Sequence, residues 1–192
     1  MKWGKLELHQ RQSVGCTRGK VRFGMKVSVV LDFIDHGQIA LPEFQRGYVW
    51  NRDQVRSLMQ SLYRRYPVGS LLVWTTQTDK AVTRGEGPLA PGAVKLLLDG
   101  QQRITTLYGI IRGRPPRFFE GNAHAFTGLW FNLATETFEF YSPLKMKDDP
   151  MWIDVSELMR EGAGPFIARI AANPVYAGDL GTYIGRVNPS YS

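Results

Sequence analysis

Apolar and polar residues follow two different periods along this chain, one typical of helices and one typical of strands. In residues 52–66 the apolar positions recur every three or four residues, which predicts an amphipathic helix that begins after Asn51. Pro67 predicts the end of that helix, because the residue before a proline is pushed away from helical angles. Short unbroken apolar runs predict buried strands at 69–74 and 94–98. The pattern therefore mixes helices with strands, and we expect an α+β fold.

The remaining pattern predicts a second set of elements. Ser28 is a suitable N-cap for a short helix that Gly37 would close. The segment LWFNLATETFEFY predicts a β-hairpin over residues 129–141. The other predicted elements are a strand at Ile39–Leu41, a helix at Gln101–Arg112 and helical segments at 156–161, 165–172 and 175–187.

Charge is unevenly distributed and suggests how the chain is organised. The 192 residues carry a net charge of +7, and residues 1–26 hold seven Lys or Arg against one acid, a net of +6. We interpret residues 1–26 as a loose basic N-terminal extension with one short strand around Val21–Phe23. Residues 27–150 would form the α+β domain and 151–192 a helical extension. Because the last helical pattern stops without obvious packing partners, we expect this chain to be the front portion of something longer.

Several classes of protein are excluded by simple features of the sequence. No apolar run approaches the ~20 residues of a membrane span, and the N-terminus lacks the apolar core of a signal peptide. A single cysteine, Cys16, excludes an internal disulfide, so we expect a cytoplasmic protein. His9, His36 and His124 show neither metal-ligand nor catalytic spacing.

The segment LLLDGQQR places polar residues where a predicted strand meets a predicted helix. Unpaired amide groups and the helix dipole favour an anion at such a helix N-terminus. Gly100 permits close approach to the backbone, Gln101 and Gln102 offer amide groups, and the planar guanidinium of Arg103 suits phosphate oxygens. Asp99 has the wrong sign for direct phosphate contact but suits a bound Mg²⁺ or an attacking water. The alternative is structural: Asp99 caps the helix and Arg103 is solvated.

A second segment, FQRGYVW, embeds Gln45 and Arg46 among aromatic and apolar residues. An arginine beside so much apolar surface must find a partner or extend to water. Arg46 is therefore either part of an exposed loop or an arginine held in a cleft by a rigid aromatic shell. We interpret the neighbouring Tyr48 and Trp50 as packing residues.

Four segments in this order resemble one family: LPEFQRGYVW, a helix beginning NRDQ, YPVGSLLVW and LLLDGQQRITTL. Together with the hairpin and MWIDVSEL, they are similar to the DUF262 domain over roughly residues 24–187. That domain is the N-terminal domain of GmrSD-type modification-dependent restriction endonucleases. The resemblance implies a ParB/sulfiredoxin-like domain, with a small mixed sheet packed by helices.

The resemblance also implies a site. The DGQQR loop would bind a nucleoside triphosphate and Mg²⁺ and support its hydrolysis, with Asp99 as the metal ligand. Asp99, Arg103 and Arg46 are the implied catalytic residues. The remaining candidate binding residues are Gly100, Gln101, Gln102, Gln45 and Ser70, the last at the start of a strand.

The family implies further partners and leaves one alternative open. The nucleotide cycle would regulate DNA restriction in anti-phage defence, and a nuclease domain or subunit absent from this chain would cleave the DNA. DNA cleavage by this chain alone is therefore not expected. The alternative is a non-catalytic nucleic-acid-binding module, based on the basic N-terminal residues and the arginines of the helix that follows Asn51.

Overall fold

The computed structural model describes residues 5–11, 21–83 and 89–187, and these form a mixed α+β fold. Two β-sheets and seven α-helices are built from the described residues. The strands are β1 Lys5–Arg11, β2 Val21–Lys26, β3 Ile39–Ala40, β4 Ser70–Gln77, β5 Ala93–Asp99, β6 Leu129–Asn132, β7 Thr137–Phe140 and β8 Trp152–Asp154. The helices are α1 Val27–Asp35, α2 Arg52–Tyr63, α3 Gln101–Arg112, α4 Pro143–Met146, α5 Val155–Glu161, α6 Gly164–Ala171 and α7 Leu180–Val187. The predicted α+β class is confirmed.

The larger sheet has five strands in the order β2-β1-β4-β5-β3. It is mixed, because β1 runs parallel to β4 and β3 parallel to β5, whereas the other two pairings are antiparallel. The antiparallel β4–β5 pair brings the start of β4 beside the end of β5. Ser70, at the start of β4, therefore lies near Asp99 and the DGQQR segment at the end of β5.

Helix α2 begins and ends with well-defined local signals. The Asn51 side chain accepts a hydrogen bond from the Gln54 N–H, and the Gln54 side chain accepts one from the Asn51 N–H, which completes a capping box. At the other end Arg65 has a φ of 60°, and the Tyr66 N–H bonds the Ser61 carbonyl in a Schellman arrangement. The predicted N-cap is confirmed. The helix ends at Tyr63, however, and Pro67 does not determine its end.

The smaller sheet and the C-terminal helices share one core with the larger sheet. This sheet is antiparallel, with the order β7-β6-β8. A single cluster of buried side chains extends from Val27 to Val187. The predicted boundary at residue 150 falls between β7 and β8 of this sheet, and residues 151–187 contribute to the same buried cluster as the residues before them.

Some local predictions were wrong, and each has a physical reason. Residues 5–11 and 21–26 are paired strands of the larger sheet, so this part of the N-terminal segment is not loose. Ser28 lies inside α1 and caps nothing, because β2 runs directly into the helix and Lys26 takes the N-cap position. The three residues of β8 and the four of α4 are too few to produce a detectable period.

Candidate functional site

The candidate site begins at the tight connection between β5 and α3. Gly100 is the N-cap residue of α3 and has a φ of 92°, the left-handed region that side chains rarely adopt. A β-carbon at this position would overlap with the Leu71 side chain and crowd the Arg103 guanidinium. Gly100 thus lets strand, helix and Arg103 approach one another closely.

Asp99 lies at the rim of the site, and its carboxylate is largely exposed to solvent. Its Oδ1 accepts a hydrogen bond of 2.7 Å from the Gly100 N–H, and its Oδ2 lies 3.4 Å from Arg103 Nη2. The Asp99 side chain is 70% exposed. Asp99 is not the N-cap residue of α3, because Gly100 takes that position, and the Asp99 carboxylate accepts a backbone hydrogen bond only from the N–H of Gly100 itself and not from an N–H of the first turn. Asp99 is available to a ligand.

The Arg103 side chain is largely buried and bonds mainly to backbone carbonyls. Its Nη1 donates to the Val68 carbonyl at 2.6 Å, and its Nη2 donates to the Ser70 carbonyl at 2.9 Å. The side chain is only 16% exposed. Arg103 therefore joins the first turn of α3 to the start of β4. Ser70 contributes its carbonyl to this link, and its side chain does not line the depression described below.

Three glutamine amides bind the FQRGYVW segment to the DGQQR segment. Gln45 Nε2 donates to the Leu98 carbonyl at 3.0 Å, and Gln101 Nε2 donates to the Arg46 carbonyl at 2.7 Å. Gln102 does more, since its Oε1 accepts from the N–H groups of Val49 and Trp50, and its Nε2 donates to the Gly47 carbonyl. These amides position the loop that carries Arg46.

The aromatic residues of the FQRGYVW segment divide between core and surface. The Tyr48 hydroxyl hydrogen-bonds the Thr106 Oγ1 at 2.7 Å, and the Tyr48 ring packs edge-on against Phe126. Burial raises the pKa of Tyr48. Trp50 packs against the core cluster while also lining the site. Tyr48 is thus a packing residue that fixes the loop on α3.

Arg46 is the exposed cation of this site. Among the residues that the structure describes, its guanidinium has no hydrogen-bond or ion-pair partner, although its carbonyl is bonded by Gln101. Arg46 and Asp99 line one depression of about 250 Å³. The other lining residues are Gln45, Trp50, Leu98, Gly100, Gln101, Gln102 and Arg103. The structure thus brings together every predicted site residue except Ser70.

The side chains of this site that could bind a metal fit a magnesium ion only together with a substrate that supplies further ligands. No group of three or more His, Cys, Asp or Glu side chains among the described residues could hold a metal. Among the described residues that line the depression, Asp99 is the one with an acidic side chain. Mg²⁺ commonly binds through one or two carboxylates together with substrate phosphates and waters, and Asp99 fits that pattern.

A second depression, of about 420 Å³, adjoins the first, and the sequence did not reveal it. Trp50 and Arg103 line both depressions. The second one lies between α2 and the residues Pro67 and Val68. The signal that was overlooked is a polar stripe on α2, Asp53, Ser57 and Ser61, at a spacing of four residues.

The chain belongs to the family of the N-terminal domain of GmrSD restriction endonucleases, whose sequence model matches residues 27–169. It is also 34% identical over 82 residues to an uncharacterized protein of Methanocaldococcus jannaschii. That match covers 38% of this chain and 14% of the archaeal protein, so the chain spans only a small part of its relative. No solved structure is significantly similar to this chain, and the relation to the ParB/sulfiredoxin fold stays a prediction.

The family associates the chain with restriction and defence systems. Within the described part of the chain, every helix is too short or too polar to cross a lipid bilayer.

Proposed function

We propose that this domain binds a nucleoside triphosphate with Mg²⁺ and hydrolyses it, as the regulatory part of a modification-dependent restriction system. The observation that supports this most is one depression at the N-terminus of α3, lined by the exposed Asp99 and by Arg46, whose guanidinium has no partner among the described residues. A cation, a potential metal ligand and a helix N-terminus together suit a metal-bound polyphosphate.

In this proposal the residues of the site have unequal roles. Arg46 binds phosphate oxygens directly and neutralises charge that develops during phosphoryl transfer, where such stabilisation supplies much of the rate enhancement. Asp99 would hold Mg²⁺, which would supply further positive charge to the phosphates. Arg103 positions the helix and adds positive charge at the wall, since its guanidinium already bonds two carbonyls. Gln45, Gln101 and Gln102 keep the Arg46 loop in place.

The hydrolytic step needs only water as co-reactant. Water attacks the terminal phosphorus as the bond to the bridging oxygen breaks, and the nucleoside diphosphate leaves with that bond's electron pair. The water's proton passes to a phosphate oxygen, and the phosphoryl group leaves as inorganic phosphate. Asp99 is the acidic group of the depression and can orient this water or hold the metal. The energy released would regulate a nuclease that another domain or subunit supplies, and that nuclease would cut the DNA.

Calorimetry on Arg46→Ala tests this function. Wild type is titrated with ATP, GTP and CTP in turn, each with Mg²⁺, and we expect at least one to bind. Arg46→Ala should weaken that binding by at least roughly tenfold, the value of one lost charge-assisted contact. Its thermal stability should match wild type, because the exposed Arg46 side chain makes no hydrogen bond or ion pair with a described residue.

Two further variants show whether a loss of nucleotide binding is specific to Arg46. Arg160→Ala removes an exposed arginine on α5 that pairs only with the adjacent Glu161, and it should bind nucleotide like wild type. Arg103→Ala should lower the melting temperature, because it leaves the Val68 and Ser70 carbonyls without their donors. If a folded wild type binds none of the three nucleotides, the proposal is wrong.

The alternative of a non-catalytic DNA-binding module has less support from the described side chains. Arg52 donates to the His124 carbonyl and lies over the Phe140 ring, and Arg56 pairs with Asp53 at 2.7 Å. These two arginines of α2 are therefore already engaged within the protein. DNA binding that weakens steeply with salt, without any nucleotide binding, would favour this alternative.

A further inference from the structure

The second depression continues the candidate phosphate site along α2. The two share Trp50 and Arg103, which therefore form the wall between them. At about 420 Å³ the second one falls within the range of ordinary small-molecule sites, roughly 300–1,000 Å³. A ligand that lies across this wall would have one part near Arg46 and Asp99 and another part against α2.

One side of the second depression is a line of polar groups that have capacity to bind a ligand. Asp53, Ser57 and Ser61 line it, and their spacing of four residues places them on one helical face. Among the described residues the hydroxyls of Ser57 and Ser61 have no hydrogen-bond partner. The Asp53 carboxylate bonds Arg56 through Oδ1, and its side chain is 77% exposed. These groups can accept and donate hydrogen bonds.

The depression also has an apolar part of its lining. Leu58 of α2 contributes to it together with Trp50, Pro67 and Val68, and the Trp50 indole is half-buried against the core cluster. An indole held in this way offers a flat surface on which a planar ring can stack. The depression therefore combines an apolar wall with a row of hydroxyl and carboxylate groups.

We propose that the second depression holds the nucleoside part of the nucleotide, an inference that rests on the proposed function. The base lies against the Trp50 side, and the sugar hydroxyls bond Asp53, Ser57 and Ser61 of α2. The triphosphate passes Arg103 and reaches Arg46 and Asp99 in the first depression. A nucleoside matches this lining because it is itself amphipathic, with an apolar ring face and polar sugar edges, whereas inorganic polyphosphate has no apolar part.

Filling the second depression tests this proposal. Ser57 is exposed on α2, so Ser57→Phe adds a ring to the depression without disturbing the core. Mg²⁺ complexes of ATP, GTP and CTP and of inorganic tripolyphosphate are titrated by calorimetry. We expect Ser57→Phe to weaken nucleotide binding by at least about tenfold and tripolyphosphate binding by less than about twofold.

The matched control is Ser28→Phe, the same replacement on the exposed face of α1, away from both depressions. It should change neither affinity. Ser61→Leu fills the same side of the depression and repeats the test if Ser57→Phe lacks the wild-type circular dichroism spectrum.

The outcomes separate the two proposals. If wild type binds nucleotides and both filled variants bind them equally well, the nucleoside lies elsewhere and only this inference is wrong. A loss of equal size for nucleotide and tripolyphosphate overturns it too, since the replacement would then have disturbed the phosphate site. If a folded wild type binds neither ligand, the proposed function fails and the nucleoside site fails with it.

Discussion

Gly100 and Gly113 lie at the two ends of α3, and both have a positive φ, of 92° and 68°. Their surroundings differ. A β-carbon at Gly100 would overlap with Leu71, whereas a β-carbon at Gly113 would meet nothing within 4 Å. The same backbone conformation therefore serves two purposes: Gly113 ends a helix in open space, and Gly100 makes room for the contacts beneath the candidate site.

Replacing each glycine with alanine should separate these purposes. Gly113→Ala carries only the cost of a left-handed alanine, about 1 kcal/mol. Gly100→Ala carries that cost and also overpacking against Leu71, which adds roughly 1–3 kcal/mol. Urea denaturation of both variants measures the difference. Equal losses of stability would show that the Leu71 side chain can move away from an added β-carbon at Gly100 without a cost in stability.

The two arginines of the site show what the sequence could not distinguish. Arg103 was predicted to bind phosphate because it follows a helix N-terminus, and Arg46 because the family resemblance places it in the same site. Only the fold places the Val68 and Ser70 carbonyls, more than thirty residues away in sequence, within reach of Arg103. Arg103 therefore acquires a positioning role that no local motif encodes, while Arg46 keeps a free side chain.

At the scale of elements, α3 organises the site. The helix boundaries were predicted correctly at Gln101 and Arg112, because apolar periodicity and the flanking glycines define them. Strand β1 was not predicted, since its sequence KLELHQR lies among basic and polar residues without a strong apolar run. Its place in the sheet depends on pairing with β4, some sixty residues later. Local periodicity predicts the individual elements well, but it does not predict which strands pair over a long distance in the sequence.

The loop that carries Arg46 depends most on Gln102, whose Oε1 accepts from the N–H groups of Val49 and Trp50 at 2.9 and 3.3 Å. We expect Gln102→Ala to increase amide hydrogen exchange at both residues by at least roughly tenfold, because the lost acceptor exposes them to water. Nuclear magnetic resonance measures each amide separately. Gln60→Ala is the matched control, since Gln60 bonds the distant Glu136 carbonyl, and it should leave both amides protected. Unchanged exchange in Gln102→Ala would mean that the loop is held by other contacts.

At the scale of the whole molecule, α3 is fixed at both ends. Arg103 joins its first turn to β4, while near its last turn the Tyr108 hydroxyl donates to the Asp35 carboxylate of α1. Arg112 pairs with Asp35 at 2.8 Å and with Asp32 at 2.5 Å. The candidate site at one end of α3 is thus connected through a rigid helix to a charged cluster at the other.

This cluster makes stability sensitive to alkaline pH. Burial, followed by the hydrogen bond to Asp35 and its negative charge, raises the pKa of Tyr108 from 10.0 to about 12. Between these two values the unfolded chain loses the Tyr108 proton and the folded protein retains it. The unfolded state then binds fewer protons, so the contribution of Tyr108 to stability is present below pH 10 and is lost as the pH rises toward 12. Thermal unfolding from pH 8 to 11.5 should show this decline in wild type.

Tyr108→Phe tests whether the hydroxyl is responsible for part of this decline. The variant should be less stable than wild type at pH 8, but it should lose less stability between pH 10 and 11.5, because it has no proton to release there. Asp35 keeps its pairs with Arg112 and Arg114, so no carboxylate is left unpaired.

Tyr66→Phe, at a tyrosine that is 57% exposed, should follow the wild-type curve. Half-buried Tyr63 and buried Tyr48 also have a raised pKa, so a smaller decline remains in the Tyr108→Phe variant. Identical slopes for Tyr108→Phe and wild type would show that the α1–α3 contact does not depend on this proton.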